Sequence, residues 1–207
     1  MEDFFATLSR WWPPGREDLH WHLLPEPALT TDLSRHYEEL THRPGLAPVA
    51  PHWCHITVQD IAPAADVTPD ELDRIVAHVR LACAALPPAG LTLGPPEAGR
   101  YGLGCPVTPA EEARRLWQLA VAASQAETAG RFPTRPAAYH PHLSLAYGVA
   151  SMGDESLHEW LATHPARTVT FTATQLSLVA QSHDGAGVIS WRPVATVPLR
   201  RPGTPAP

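Results

Sequence analysis

The chain of 207 residues has no lysine; all fifteen of its basic residues are arginine. That excludes a P-loop, whose lysine reaches the phosphates. It also excludes Schiff-base chemistry and a lysyl-nucleotidyl intermediate, and with it the ATP-dependent ligase route. Cysteine is scarce: Cys54, Cys83 and Cys105 are widely spaced, odd in number and form no C-x-x-C pair, which argues against a disulfide framework. No apolar run approaches the roughly 18 residues needed to span a bilayer. The longest, 75–86, is broken by His78 and Arg80. Met1-Glu2-Asp3 lacks the basic start of a secretory signal, so a soluble, cytoplasmic protein with no membrane partner is expected. There is no G-x-S-x-G elbow and no H-E-x-x-H pair, and Gly99-Arg100-Tyr101-Gly102-Leu103-Gly104 does not follow the dinucleotide order G-x-G-x-x-G. A net charge of −6 with no evident basic face argues against a long nucleic-acid duplex as partner.

What is present is a chain 44% apolar, enough to bury a core. Residues 1–18 form an N-terminal extension with Trp11-Trp12-Pro13-Pro14 as a break. A single domain follows over 19–199, and 200–207 is a loose tail. Strands are expected at 19–24, 51–60 and 139–147, one or two at 91–107, and a long one at 168–180 that returns at 188–199 after an Asp184-Gly185 turn. The apolar phase of 168–180 slips midway, which predicts a bulge. Helices are expected at 31–41 and 154–163. A third starts at Thr68-Pro69-Asp70-Glu71, with Thr68 as N-cap, Pro69 in the first turn and Glu71 closing a capping box. Thr108-Pro109-Ala110-Glu111 repeats that start. The mixture reads as α+β, with two similar lobes facing a common cleft.

Two strands share one pattern: His55-Ile56-Thr57-Val58 and His142-Leu143-Ser144-Leu145. Residues i and i+2 of a strand share a face. His55 and Thr57 therefore stand together, with Trp53 and Gln59 as neighbours, and His142 stands with Ser144 and His140. Displacement at phosphorus needs a base for the attacking hydroxyl or water and an acid for the leaving oxygen. Two imidazoles can supply both, while adjacent hydroxyls hold the non-bridging oxygens.

These paired tetrapeptides, 87 residues apart, resemble the signature of the 2H phosphoesterase superfamily, which includes 2′-5′ RNA ligases and 2′,3′-cyclic nucleotide phosphodiesterases. The Pro141 before the second motif is also similar to the family pattern. The resemblance implies a bilobal fold of two mainly antiparallel sheets facing a central groove, with helices outside. It implies metal-independent chemistry with no cofactor. His142 would be the base that activates water and His55 the acid, with Thr57 and Ser144 as phosphate binders.

Around that core, Trp53, Tyr101 and Tyr139 are candidates to stack on a base, with Tyr147 on the apolar face. Arg100, Arg131 and Arg135 are candidates to clamp a phosphate, and His140 is a rim residue. His20, His22, His52 and His140 could offer imidazoles to a metal, but lack the clustered carboxylates of a built site. The leading expectation is hydrolysis of a 2′,3′-cyclic phosphate on a nucleotide or RNA end by a monomer. RNA end joining, a phosphoester step on a small metabolite, and a non-catalytic nucleotide-binding module stand as alternatives.

Overall fold

The computed structural model describes residues 1–134 and 139–200. Arg135 and the tail beyond Arg200 lie outside the described residues. In chain order the elements are α1 (Phe4–Leu8), β1 (Asp18–Leu23), α2 (Pro27–His36), α3 (Glu38–Thr41), β2 (Leu46–Pro48) and β3 (Ile56–Pro63). Then come α4 (Pro69–Cys83), β4 (Ala89–Leu93), β5 (Glu97–Gly99), β6 (Gly102–Thr108) and α5 (Ala110–Glu127). β7 (His142–Gly148), α6 (Glu155–Thr163), β8 (Val169–Ala173), β9 (Gln175–His183) and β10 (Ile189–Pro198) complete the chain.

The strands join into one curled antiparallel sheet in the order β10-β9-β1-β3-β7-β6-β4-β8, with β2 beside β7 and β5 beside β6. Its two halves meet at β3 and β7 through a single pair, Ile56 opposite Leu143. Strand β1 lies between β3 and β9, and all six of its residues are buried. Helices α4 and α5 pack on each other, α5 against β3 and α4 against β10. No helix among the described residues is long and apolar enough to cross a membrane.

Local chemistry accounts for several boundaries. Thr68 caps α4 through the Glu71 N–H, and Glu71 reaches back to the Thr68 N–H at 2.9 Å, so both halves of the capping box form. The apparent repeat at Thr108 differs. Thr108 is the last residue of β6, Pro109 is the N-cap of α5, and no side chain caps that helix. At the hairpin after β9, the Asp184 carboxylate accepts from the N–H groups of Ala186, Gly187 and Val188.

Four expectations change. The strand expected at 51–60 begins at Ile56, after a 3-10 turn at 51–53. The helix at 31–41 begins earlier, at Pro27, and divides at Tyr37 into α2 and α3. The phase slip in 168–180 is a break at Thr174, not a bulge. β8 pairs with β4 in one half of the sheet, and β9 pairs with β1 and β10 in the other. The N-terminal extension is part of the core, where Phe5, Leu8 and Trp12 are buried.

Candidate active site

Ile56 and Leu143 each follow a motif histidine, and both are fully buried. Their pairing fixes the geometry of the site. His55 and Thr57 flank Ile56, and His142 and Ser144 flank Leu143, on either side of that pair. With Ile56 and Leu143 turned to the core, all four polar side chains share the opposite face. There they line one cleft of about 1180 Å³. Beyond this single pair the strands part, β3 running along β1 and β7 along β6.

Both imidazoles are held the same way. His55 Nδ1 donates to the Trp53 carbonyl at 2.7 Å, and His142 Nδ1 donates to the His140 carbonyl at 2.9 Å. In each case the acceptor lies two residues upstream. A carbonyl can only accept, so Nδ1 carries the hydrogen and Nε2 of the neutral ring keeps its lone pair. The two rings differ in environment. His55 is buried, and burial pushes its pKa down to about 4, outweighing the Trp53 carbonyl, which favours the charged form. His142 is exposed and lies over Gly104, where a Cβ would come 3.4 Å from His142 Cδ2.

Behind His55 stands a column of rings. His22, fully buried, stacks on His55 with centroids 4.1 Å apart and planes 14° apart. His20 meets His22 edge-on at 5.8 Å, and Trp12 stacks on His20 at 5.4 Å. Burial holds His20 down at about 4 and His22 well below the ordinary value, so these rings are neutral at pH 7. Gln181 lies near enough to His22 to favour its charged form, without a hydrogen bond of normal geometry.

The structure sorts the sequence candidates. Thr57, Ser144, Tyr101 and His140 line the cleft with the two histidines. Trp53 does not. It sits in the 3-10 turn 51–53 that leads into β3, packs edge-on against Trp191 at 5.4 Å, and acts on the site through its carbonyl. Tyr139 is buried, stacked on Trp117 at 5.5 Å, and its hydroxyl donates to the Thr57 carbonyl at 3.1 Å. It braces β3 and does not face the cleft. Arg100 lies outside the lining and pairs with Glu2 at 2.8 Å. Arg131 holds Glu71 with a 2.7 Å bond to each carboxylate oxygen. Tyr147 is buried as expected, yet also borders the cleft under Phe4.

Strict alternation along β3 placed Gln59 beside Thr57. The register of β3 against β1 shifts twice, so Gln59 turns inward to receive a hydrogen bond from Ser124 of α5, and Asp60 lines the cleft instead. The lining also includes His20, Gln181, Glu97 and, from the N-terminal segment, Phe4, Leu8, Trp11 and Trp12. The available signal for His20 and His22 was their i, i+2 spacing on an expected strand. Among the described residues, no three His, Cys, Asp or Glu side chains gather as a metal-holding group.

The sheet, in two antiparallel halves, brings a matched histidine and hydroxyl from each to the seam, an arrangement that fits the 2H phosphoesterase superfamily. The profile of the 2′-5′ RNA ligase superfamily matches residues 29–185, and the chain belongs to that family. The fold resembles that of TT0787 from Thermus thermophilus, with TM-score 0.68, 18% identity, and 88% of this chain and 98% of that one covered. It also resembles E. coli LigT crystallised with ATP, with TM-score 0.65, 14% identity and 90% and 99% coverage. LigT crystallised with 3′-AMP gives a TM-score of 0.64 at 16% identity, with 90% and 99% coverage. No curated protein sequence matches the chain significantly.

Proposed function

We propose that the chain is a metal-independent phosphoesterase that opens a 2′,3′-cyclic phosphate on a nucleotide or an RNA end. The observation that carries this reading is the matched pair of imidazoles, each fixed through Nδ1 and brought to one cleft face by the Ile56–Leu143 pair. In the scheme, one neutral imidazole takes a proton from water as its oxygen bonds to phosphorus. The ring P–O bond breaks, and the other imidazole, protonated, gives its proton to the leaving ribose oxygen. One proton is taken, one is given, and a phosphomonoester results. Thr57 and Ser144 hydroxyls hold the non-bridging oxygens in line.

Burial suits His55 to the base role, because its ring stays neutral well below pH 7. His142, on the exposed side of the cleft, is then left the acid role. That reverses the order the family resemblance implies. End joining would run the same exchange in the opposite direction. One chain supplies both histidines, so a monomer suffices, and three free buried cysteines fit a reducing cytoplasm. LigT, which shares the fold, has been crystallised with ATP, 3′-AMP and NADP+, which supports a nucleotide in such a cleft.

The test is phosphorus NMR with a panel of 2′,3′-cyclic nucleotides in EDTA, for the parent, His55→Ala and His142→Ala. Conversion by the parent and a loss of about 10²–10⁴-fold in each variant are expected. Binding without any product would refute the catalytic reading and favour a nucleotide-binding module. With His55 as base, the acidic limb of kcat/KM should fall nearer its lowered pKa than the ordinary imidazole value.

A further inference from the structure

The first seventeen residues precede both β1 and the family match, which starts at residue 29. They are nevertheless built into the molecule. The Met1 ammonium donates to the Met152 carbonyl at 2.8 Å, and the Glu2 N–H donates to the Arg100 carbonyl at 2.7 Å. His183 Nε2 donates to the Trp12 carbonyl at 2.7 Å, while its Nδ1 accepts from the Gly185 N–H. Phe5, Leu8 and Trp12 are buried beneath. So anchored, the segment brings Phe4 and Trp11 to the same cleft that holds His55 and His142, with the buried Leu8 and Trp12 also in its lining. Phe4 lies flat on Tyr147 at 5.0 Å and faces Tyr101 at 5.7 Å, and Trp11 stays 42% exposed at the cleft edge.

A phosphate between the histidines leaves the rest of its ester lying along this cleft. A wall of aromatic rings beside a phosphate site matches a flat group with a π-face, because stacking removes apolar surface from water on both partners. A base-free cyclic phosphate would leave that wall wet. We infer that the N-terminal segment forms the nucleobase-binding wall of the cleft, with Trp11 as the stacking residue. This rests on the reading of the cleft as a phosphoester site, but its test reads binding and needs no turnover.

Isothermal titration of the full chain with 2′-AMP, 3′-AMP and inorganic phosphate would be compared for the parent, Trp11→Ala and Trp11→Phe. The parent should bind the nucleotides at least about tenfold more tightly than phosphate, given the usual worth of one base–aromatic stack. Trp11→Ala should lose about tenfold for the nucleotides and leave phosphate unchanged, and Trp11→Phe should keep most of the affinity. Equal affinity for phosphate and nucleotides in the parent overturns the proposal. So does a Trp11→Ala variant that weakens all three ligands alike or none, and so does absence of nucleotide binding at millimolar concentration. Nucleotide selectivity lost with Trp11→Ala, in a protein that turns over no cyclic phosphate, would sustain the wall and remove only the catalytic reading.

Discussion

His22 contributes no atom to the cleft lining, yet its ring lies face to face with His55. Charge on either ring would repel the other, and the shared burial keeps water from solvating a cation. His22 therefore works as a positioning residue that holds His55 flat and neutral. Replacing it with alanine would open space beside His55, let water in and let its pKa climb back toward the ordinary imidazole value. The acidic limb of kcat/KM should move up by roughly one pH unit. His22→Phe, which restores a flat ring, should return the limb to its parent position. An unmoved limb in His22→Ala would show that the stack is only packing. The two motif histidines were visible in the sequence because their pattern repeats. His22 was weighed in the sequence only as a metal-ligand candidate, because its place behind His55 comes from a strand that becomes the motif's neighbour only on folding.

At the scale of elements, β6 shows how closely the backbones approach beside the site. Gly102 has φ +152° and stands opposite Tyr147, and a Cβ there would overlap the Ala146 carbonyl oxygen. Gly102→Ala must push β6 away from β7 on the strand that carries His142 and Ser144. A loss of about 1–3 kcal/mol is expected in denaturant unfolding, accompanied by reduced turnover. Parent-like stability and turnover would count against that close approach.

The same scale shows what could be read beforehand. The capping box at Thr68, the Asp184-Gly185 turn and the strand of the second motif were legible because each is written in adjacent residues, whereas the strand of the first motif starts only at Ile56. The swap of Gln59 for Asp60 was not, since it depends on bulges set by pairing with β1. The phase slip in 168–180 marked the place but could not tell a break at Thr174 from a bulge within one strand. Only the different partners of β8 and β9, β4 and β1, separate the two strands. The N-terminal wall was equally hidden, since Phe4 and Trp11 acquire a role only once distant carbonyls pin the segment in place.

For the whole molecule, the buried imidazoles dictate how stability responds to acid. His20, His22 and His55 are all neutral in the fold, with His20 and His55 held at about 4 and His22 well below its usual value. In the unfolded chain they return to about 6.5. Their folded pKa values are lowered, so between pH 6.5 and about 4 the unfolded chain binds more protons, and stability falls as pH drops through that window. Each such ring contributes a slope of about 1.4 kcal/mol per pH unit there. Glu71 responds later: the Thr68 N–H and Arg131 hold it at about 2, so its contribution is present above the ordinary carboxylate range and is lost below it. Acid destabilisation should therefore begin near pH 6.5, before the carboxylates titrate. Thermal melts from pH 7.5 to 4.5 should show Tm falling from about pH 6.5 downward. His20→Phe, which removes one neutral imidazole but keeps a ring against Trp12, should flatten that fall. A Tm that holds level down to pH 5 would mean that the imidazoles are charged or solvated in the fold, and would remove the ground for His55 as the base.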